Sequence, residues 1–307
     1  MTMTREVKFS KRLLKPSLIY SSYFYLETVK NLLRRQKLKI PVPQLHGRAQ
    51  FDFDRATVDR WHDLFRVSES RDLGLSYFWY ASELFYLTIM KEFGFHYRNI
   101  LHLSHERIFT NSLKIGEQYN VEMTLDDIVR HSKDRIVFVM KTVLRDSLNK
   151  IYSITKDTIF LKNVSEDFLR YLDTCEEFGK NDLSEIRGIS KRKTQIEGGD
   201  VHEFYVSKKL GREYGRVSGD LNPLHTSIST AKIFGFKNAF LQGVCTANIA
   251  IKFLSSKMEI EKVKVILSKP LYLKQKIQVI VGNEFFEVMD QANDLVAFGS
   301  YSLKVEK

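Results

Sequence analysis

Tyr214-Gly215-Arg216-Val217-Ser218-Gly219-Asp220-Leu221-Asn222-Pro223-Leu224-His225 places a carboxylate, an amide and an imidazole within one short run. Gly219 can adopt backbone angles closed to other residues, and Pro223 fixes its own φ. The run is therefore a poor helix or strand interior and a good rigid loop. Loops of this kind, presenting an acid and an imidazole together, suit proton transfer. A bland alternative is an Asx turn with a capping Asn222 and a surface His225.

The spacing resembles the signature of the MaoC-like dehydratases, the (R)-specific enoyl-CoA hydratases of hot-dog fold. Tyr214, Ser218, Gly219, Asp220, Asn222, Pro223, Leu224 and His225 stand at that family's intervals, followed by Ala231 and Phe234-Gly235-Phe236. The resemblance implies an α+β double hot-dog, in which each of two antiparallel sheets wraps a long central helix.

Working outward, the plan around this loop occurs twice. Val201–Val206 reads as a strand, residues 207–217 as a helix leading into the loop, and 226–234 as a helical turn. An apolar helix over 241–256 precedes strands near 261–270, 275–282, 284–290 and 295–304. In the first half, residues 53–66 read as a helix with Asp54 as N-cap. A run from Ser76 to Met90 is apolar nearly all round, the pattern of a buried helix. Strands follow over 99–112, 118–130, 134–146 and 150–162, with a hairpin turn at Asp146-Ser147-Leu148-Asn149-Lys150. Helix then meander, about 160 residues apart, is an architectural repeat rather than a sequence repeat. The expected organisation is a basic arm over 1–50, a hot-dog domain lacking the motif over 51–163, a linker over 164–200, and the motif-bearing domain over 201–307.

The chain has 307 residues, enough for one large or two medium cores, with 43% hydrophobic and 28% charged residues, as in a soluble globular protein. Cys175 and Cys245 lie far apart with no Cys-x-x-Cys, which argues against a disulfide framework or structural zinc and for a reducing, cytoplasmic setting. The net charge of +11 is uneven: residues 1–50 hold 11 Lys/Arg against 2 Asp/Glu, residues 51–200 hold 22 against 25, and residues 201–307 hold 15 against 10. A nucleic-acid binder is not distributed this way. The arm combines Lys8, Lys11, Arg12 and Lys15 with Tyr20, Tyr23, Phe24, Tyr25 and Leu26. It is too short and interrupted to span a bilayer, but residues 1–40 could lie on an anionic membrane surface or simply pack on the body. No phosphate-binding loop or dinucleotide fingerprint is present.

The resemblance assigns the chemistry: reversible hydration of a trans-2-enoyl thioester to the (R)-3-hydroxyacyl thioester. It implies that Asp220 and His225 hold and deprotonate the attacking water, that Asn222 orients the water or Asp220, and that the Gly243 N–H is the oxyanion donor. Which of Asp220 and His225 is the formal base stays open. The substrate would be carried by coenzyme A or acyl carrier protein, with no metal or other cofactor; a homodimer is also expected. The sequence departs from the family at Gln242, where His is usual, and Gln242→His is expected to keep or raise activity. Alternatives are a catalytically weak acyl-thioester-binding subunit and a hot-dog thioesterase. Cys245 reads as core. Asp59, His62 and Asp63 read as a solvated helix face. His102 and His105 lack a third partner and are not read as metal ligands. Tyr77, Phe78, Trp79, Phe85 and Tyr86 are candidates for lining an acyl tunnel.

Overall fold

The computed structural model describes residues 4–10, 18–33, 37–42, 44–66, 79–96, 99–182, 184, 189, 196–254 and 259–304. Its elements run β1 (Thr4–Lys8), α1 (Leu18–Leu33), β2 (Gln44–Asp52), α2 (Arg55–Phe65), α3 (Trp79–Phe93), β3 (Ile100–Phe109), β4 (Gln118–Ser132), β5 (Arg135–Arg145), β6 (Ile151–Lys162) and α4 (Glu166–Asp173). The second half follows with β7 (Asp200–Val206), α5 (Leu210–Ser218), α6 (Pro223–Thr226), α7 (Ile228–Ile233), α8 (Gly243–Leu254), β8 (Ile260–Leu267), β9 (Gln275–Val281), β10 (Phe285–Met289) and β11 (Leu295–Leu303). Helix and meander thus recur, as the sequence predicts. Ser76, Tyr77, Phe78 and the side chain of Trp79 lie outside the described residues.

The two meanders share one sheet, in the order β1-β2-β4-β5-β6-β3-β8-β11-β10-β9-β7. They join where β3 pairs antiparallel with β8, from Ser104↔Ile266 to Ile108↔Lys262. Each half therefore covers an edge that the other would leave open to aggregation. The two sheets of the double hot-dog are thus continuous, edge to edge, as two halves of one. β4 shows period-two burial at Tyr119, Val121, Met123 and Leu125, whereas β5 is buried continuously from Ile136 to Met140. The β5–β6 turn follows from Asp146, whose Oδ1 accepts from the N–H groups of Leu148 and Lys150, both at 2.9 Å, with Asn149 at φ 65°. The two apolar helices pack on the sheet, α3 against β2 and β4 and α8 against β3, β8 and β9. α3 buries Ala81, Leu84, Phe85, Ile89 and Met90, and α8 buries a run from Val244 to Ile251.

A domain boundary at residue 50 cuts through β2, which pairs along β4 from His46↔Thr124 to Asp52↔Gln118. Its alternation is carried by Leu45, Gly47, Ala49 and Phe51, and two of those four are small, so the pattern is weak in the sequence. Gly47 is small for a reason: a Cβ there would stand 2.6 Å from Phe85 Cδ2 of α3. The arm also supplies β1, parallel to β2. α1 packs on the body through Tyr20, Phe24, Thr28 and Asn31.

The first part of the 164–200 segment is docked. Ser165 caps α4, and Asp127 of β4 accepts from the backbone N–H groups of Gly179, Lys180 and Asn181 at 2.7–2.9 Å. Among the described residues no helix is long and apolar enough to cross a membrane.

Candidate functional site

The loop owes its shape to two chain reversals. Gly219, at φ 89°, ends α5 in the left-handed region, its N–H donating to Gly215 O at 2.9 Å. Asn222 Oδ1 then accepts from Leu224 N at 3.1 Å and caps α6, with Pro223 at its first position. Two tyrosines from the N-terminal half brace the approach: Tyr20 OH donates to Gly219 O at 2.7 Å, and Tyr80 OH to Arg216 O at 2.6 Å.

Asp220 and His225 face each other at 3.8 Å, Nε2 to Oδ2. His225 Nδ1 lies 2.8 Å from Phe240 O, which can only accept, so Nδ1 carries the ring proton. In the neutral ring Nε2 is then an acceptor, and it faces a carboxylate, also an acceptor. Two acceptors at this separation want a donor with two hydrogens between them, which a water molecule supplies. Asp220 Oδ1 accepts from Asn222 N at 3.1 Å, which fixes the carboxylate. The turn role of Asn222 is thus realised with its oxygen, leaving its NH2 as the group it can offer a ligand.

Gln242 takes a place the sequence leaves doubtful. Its Nε2 donates to Gly211 O at 2.9 Å and to Asp220 O at 3.0 Å, tying α5 and the loop to the start of α8. One nitrogen with two hydrogens satisfies both carbonyls; a neutral imidazole carries a single N–H. Where the sequence leads to the expectation that Gln242→His keeps or raises activity, this clamp predicts a loss. That variant should lose one of the two hydrogen bonds, at ~0.5–1.5 kcal/mol, and lower turnover as the loop loosens. Urea unfolding and turnover of the variant check this; unchanged values would deny the clamp.

Gly243 opens α8, where the first-turn N–H groups have no intrahelical partner and the helix dipole is positive. A Cβ there would meet Leu267 Cδ1 at 2.5 Å and His102 Nδ1 at 3.0 Å. The residue is small because those side chains press on it. Cys245 is fully buried, and burial, with Asp220 adding to it, pushes its thiol well up, in keeping with a core residue.

The N-terminal half brings polar groups that sequence reasoning does not find. His102 and His105 are three apart on β3, yet a bulge between His102 and Ser104 puts both beside Asp157 of β6. Asp157 Oδ1 is 2.8 Å from His105 Nδ1 and 3.1 Å from His102 Nε2. The three could converge on a metal ion. Arg107 speaks against that: its NH2, a donor only, lies 3.1 Å from His105 Nε2, so the ring proton sits on Nδ1, the atom a metal would need. Burial drives His105 down to about 4, past the opposing pull of Asp157. Burial alone would raise Asp157, but the attraction and hydrogen bonds of His105 and His102 hold it well below the usual carboxylate range. Glu83 of α3 goes the other way: burial first, then the charges of Asp220 and Asp157, keep it protonated well above its ordinary range.

A pH dependence of stability follows. Unfolded His105 takes up a proton near 6.5, native His105 only near 4, so the unfolded state binds more protons in between. Stability from this residue is present above pH 6.5 and drains away as pH falls toward 4, by ~3 kcal/mol at full extent. The urea midpoint should therefore fall faster between pH 6.5 and 4.5 in the natural chain than in His105→Asn; parallel curves would refute it.

These groups meet in one cavity of ≈ 220 Å³. Asp220, Asn222, His225 and Gly243 line it from the C-terminal half, and Glu83, His102 and Asp157 from the other. Of the candidate tunnel aromatics, Tyr86 reaches the wall, whereas Phe85 packs toward β2.

Fold and site together describe a double hot-dog protein with an acid–imidazole loop in its C-terminal half. Residues 197–284 match the family described as MaoC like domain. The chain is similar to the peroxisomal enoyl-CoA hydratase 2 of Arabidopsis thaliana, 27% identical over 103 residues, which is 34% of this chain and only 32% of that relative. Among solved structures, it resembles a MaoC-like dehydratase from Phytophthora capsici, with TM-score 0.61 and 15% identity over 88% of this chain and 99% of that one. It also resembles full-length peroxisomal multifunctional enzyme type 2 from Drosophila melanogaster, with TM-score 0.60 and 16% identity over 93% of this chain and 52% of that one. At these identities the structural matches speak for the fold.

Proposed function

We propose that this protein catalyses the reversible hydration of trans-2-enoyl thioesters to (R)-3-hydroxyacyl thioesters. The observation that carries the reading is the pair of acceptors, Asp220 Oδ2 and His225 Nε2, facing each other at 3.8 Å in a cavity that also holds the Gly243 end of α8. A water donating to both presents its lone pair to Cβ. One of the pair takes a proton as the O–C bond forms. Negative charge moves to the thioester oxygen, where the Gly243 N–H and the helix dipole stabilise it, and Cα then takes the proton back from the group that removed it. Asn222 steadies Asp220 through its backbone N–H. Burial, with the charges of Asp220 and Asp157, raises Glu83 well above the usual carboxylate range, which disfavours a second charge beside Asp220. The proposed reaction draws on no metal or dissociable cofactor. The thiol carrier is coenzyme A or acyl carrier protein, in keeping with the basic balance of residues 201–307 and with Lys269 on the cavity wall. Gln242, where the family usually has His, ties the loop to α8 through Asp220 O, which supports turnover over mere acyl-thioester binding.

The test is incubation with enoyl-CoA and enoyl-carrier substrates of graded length, with chiral chromatography of the product. (R)-3-hydroxyacyl thioester is expected. Its absence with both carriers would overturn the reading.

We further propose that α1 rests on an anionic membrane surface. Ile19, Tyr23, Leu26 and Leu33 are 42–81% exposed and follow one another at helical spacing, with exposed Lys30 among them. The excess positive charge of residues 1–50 complements acidic lipid and opposes self-association of two such arms. Flotation with phosphatidylserine vesicles should recover the protein, and Tyr23→Asp with Leu26→Asp should reduce recovery about tenfold. Equal recovery of the double variant, or equal binding to zwitterionic vesicles, would refute it.

A further inference from the structure

Asp220 is held along its backbone as well as through its carboxylate. Leu221 N–H donates to Gly219 O at 2.9 Å, which closes a three-residue turn with Asp220 at its centre. On the other side, Asp220 O receives Gln242 Nε2. A carbonyl oxygen can accept twice, and the second donor to Gly219 O is Tyr20 OH at 2.7 Å, reaching in from α1, 199 residues earlier in the chain. The approach is close. A Cβ on Gly219 would stand 2.7 Å from Tyr20 Oη and 3.0 Å from Tyr80 Cδ1, so the contact needs glycine here for space as well as for its positive φ. Tyr20 is fully buried. Its ring meets that of Tyr80 edge-on at 4.5 Å and stacks on Phe24 at 5.7 Å, contacts that hold the hydroxyl in place. Tyr80 OH in turn holds Arg216 O, in the last turn of α5 before Gly219.

We propose that Tyr20 is a positioning residue for the hydration: its hydroxyl fixes the peptide bond ahead of Asp220, and through it the direction of the carboxylate toward His225 and the water. This rests on the reading above for the role of Asp220. The peptide between Gly219 and Asp220 carries the Cα of Asp220, so any rotation of that peptide swings the side chain with it. Leu221 N–H ties Gly219 O only to the loop itself, which can turn as a unit. Tyr20 OH ties it to the N-terminal half and so sets the loop against the rest of the cavity. A water bridging 3.8 Å between Oδ2 and Nε2 tolerates little displacement of either. Tyr20 touches neither the water nor the substrate and acts through Asp220. Residues 1–50, which hold none of the motif, thereby complete the site.

The test is hydration of decenoyl-CoA, followed as kcat and KM, by the full natural chain, Tyr20→Phe, Asp220→Asn and the double variant, each assayed below its melting midpoint. Phenylalanine keeps the ring contacts and removes only the donor. Tyr20→Phe is expected to lower kcat ~10–10²-fold, the scale for a reacting group displaced by up to about 1 Å, with KM unchanged. In the Asp220→Asn background, where the carboxylate is already gone, Tyr20→Phe should cost nothing further, because the two act through one group. Asn31→Ala is the control for a role in holding α1 alone. It removes the hydrogen bond from Asn31 Nδ2 to Phe95 O on the same helix, and should lower the urea midpoint while leaving kcat unchanged. Natural kcat in Tyr20→Phe overturns the proposal and leaves hydration standing. A full further loss in the double variant overturns it too, as does a loss in Asn31→Ala equal to that in Tyr20→Phe. Natural kcat in Asp220→Asn defeats the hydration site and this proposal with it.

Discussion

Asp220→Asn is expected to cut hydration turnover by a factor of ~10² or more, with a melting temperature close to that of the natural chain. The carboxylate makes two separate contacts: Oδ1 receives Asn222 N–H, and Oδ2 faces His225 Nε2. Asparagine can keep the first through its oxygen, which leaves the fold of the loop intact. Its NH2 then faces Nε2, a donor toward an acceptor, and the two can bond directly. The water loses both its place and its base. His225→Ala removes the other acceptor and should match the loss. Both side chains remain partly open to solvent, 16% and 12%, so neither change leaves a closed void. Steady-state kinetics on an enoyl-CoA, with a thermal melt of each variant, decides the matter. Near-natural turnover in either would place the chemistry elsewhere.

The second large effect is expected from Gly211→Ala and Gly215→Ala. Both positions are inside α5, where helix propensity alone predicts a gain of up to ~1 kcal/mol for this change. Packing predicts the reverse. A Cβ on Gly215 would stand 2.5 Å from Asp220 O, and one on Gly211 would stand 2.4 Å from His225 O. Both obstacles are backbone, so relief means moving the loop. Such overpacking costs ~1–3 kcal/mol, enough to override the propensity gain. It also moves the residues that hold the water, and a shift of about 1 Å can cost 10² in rate. A lower urea midpoint with impaired turnover is expected in each variant; a midpoint at or above the natural one would show that the loop and helix are not locked together.

Gly211 and Gly215 mark the limit of what local sequence records. Their spacing, four apart, puts them on one helix face, but nothing local says that the site loop lies on that face. The strands of both meanders were legible, since β-branched runs and turn residues such as Asp146 act within a few neighbours. β2 was not, because Gly47 and Ala49 blunt the alternation to make room for α3. His102 and His105 were legible as residues but not as a pair, since one bulged residue shifts the side-chain period. Gln242 looked like a lost function and proves to be a clamp on two carbonyls, each more than twenty residues away.

By itself, the sequence determined the local matters: the loop with Asp220 and His225, the two apolar helices, and the run of strands after each. It could do so because turn chemistry, capping and hydrophobic period act over a few residues. Only the tertiary structure decided how the halves meet, edge to edge through β3 and β8, and so which groups of the N-terminal half share the cavity. That outcome depends on side chains more than a hundred residues apart being buried against one another, and no local pattern records it.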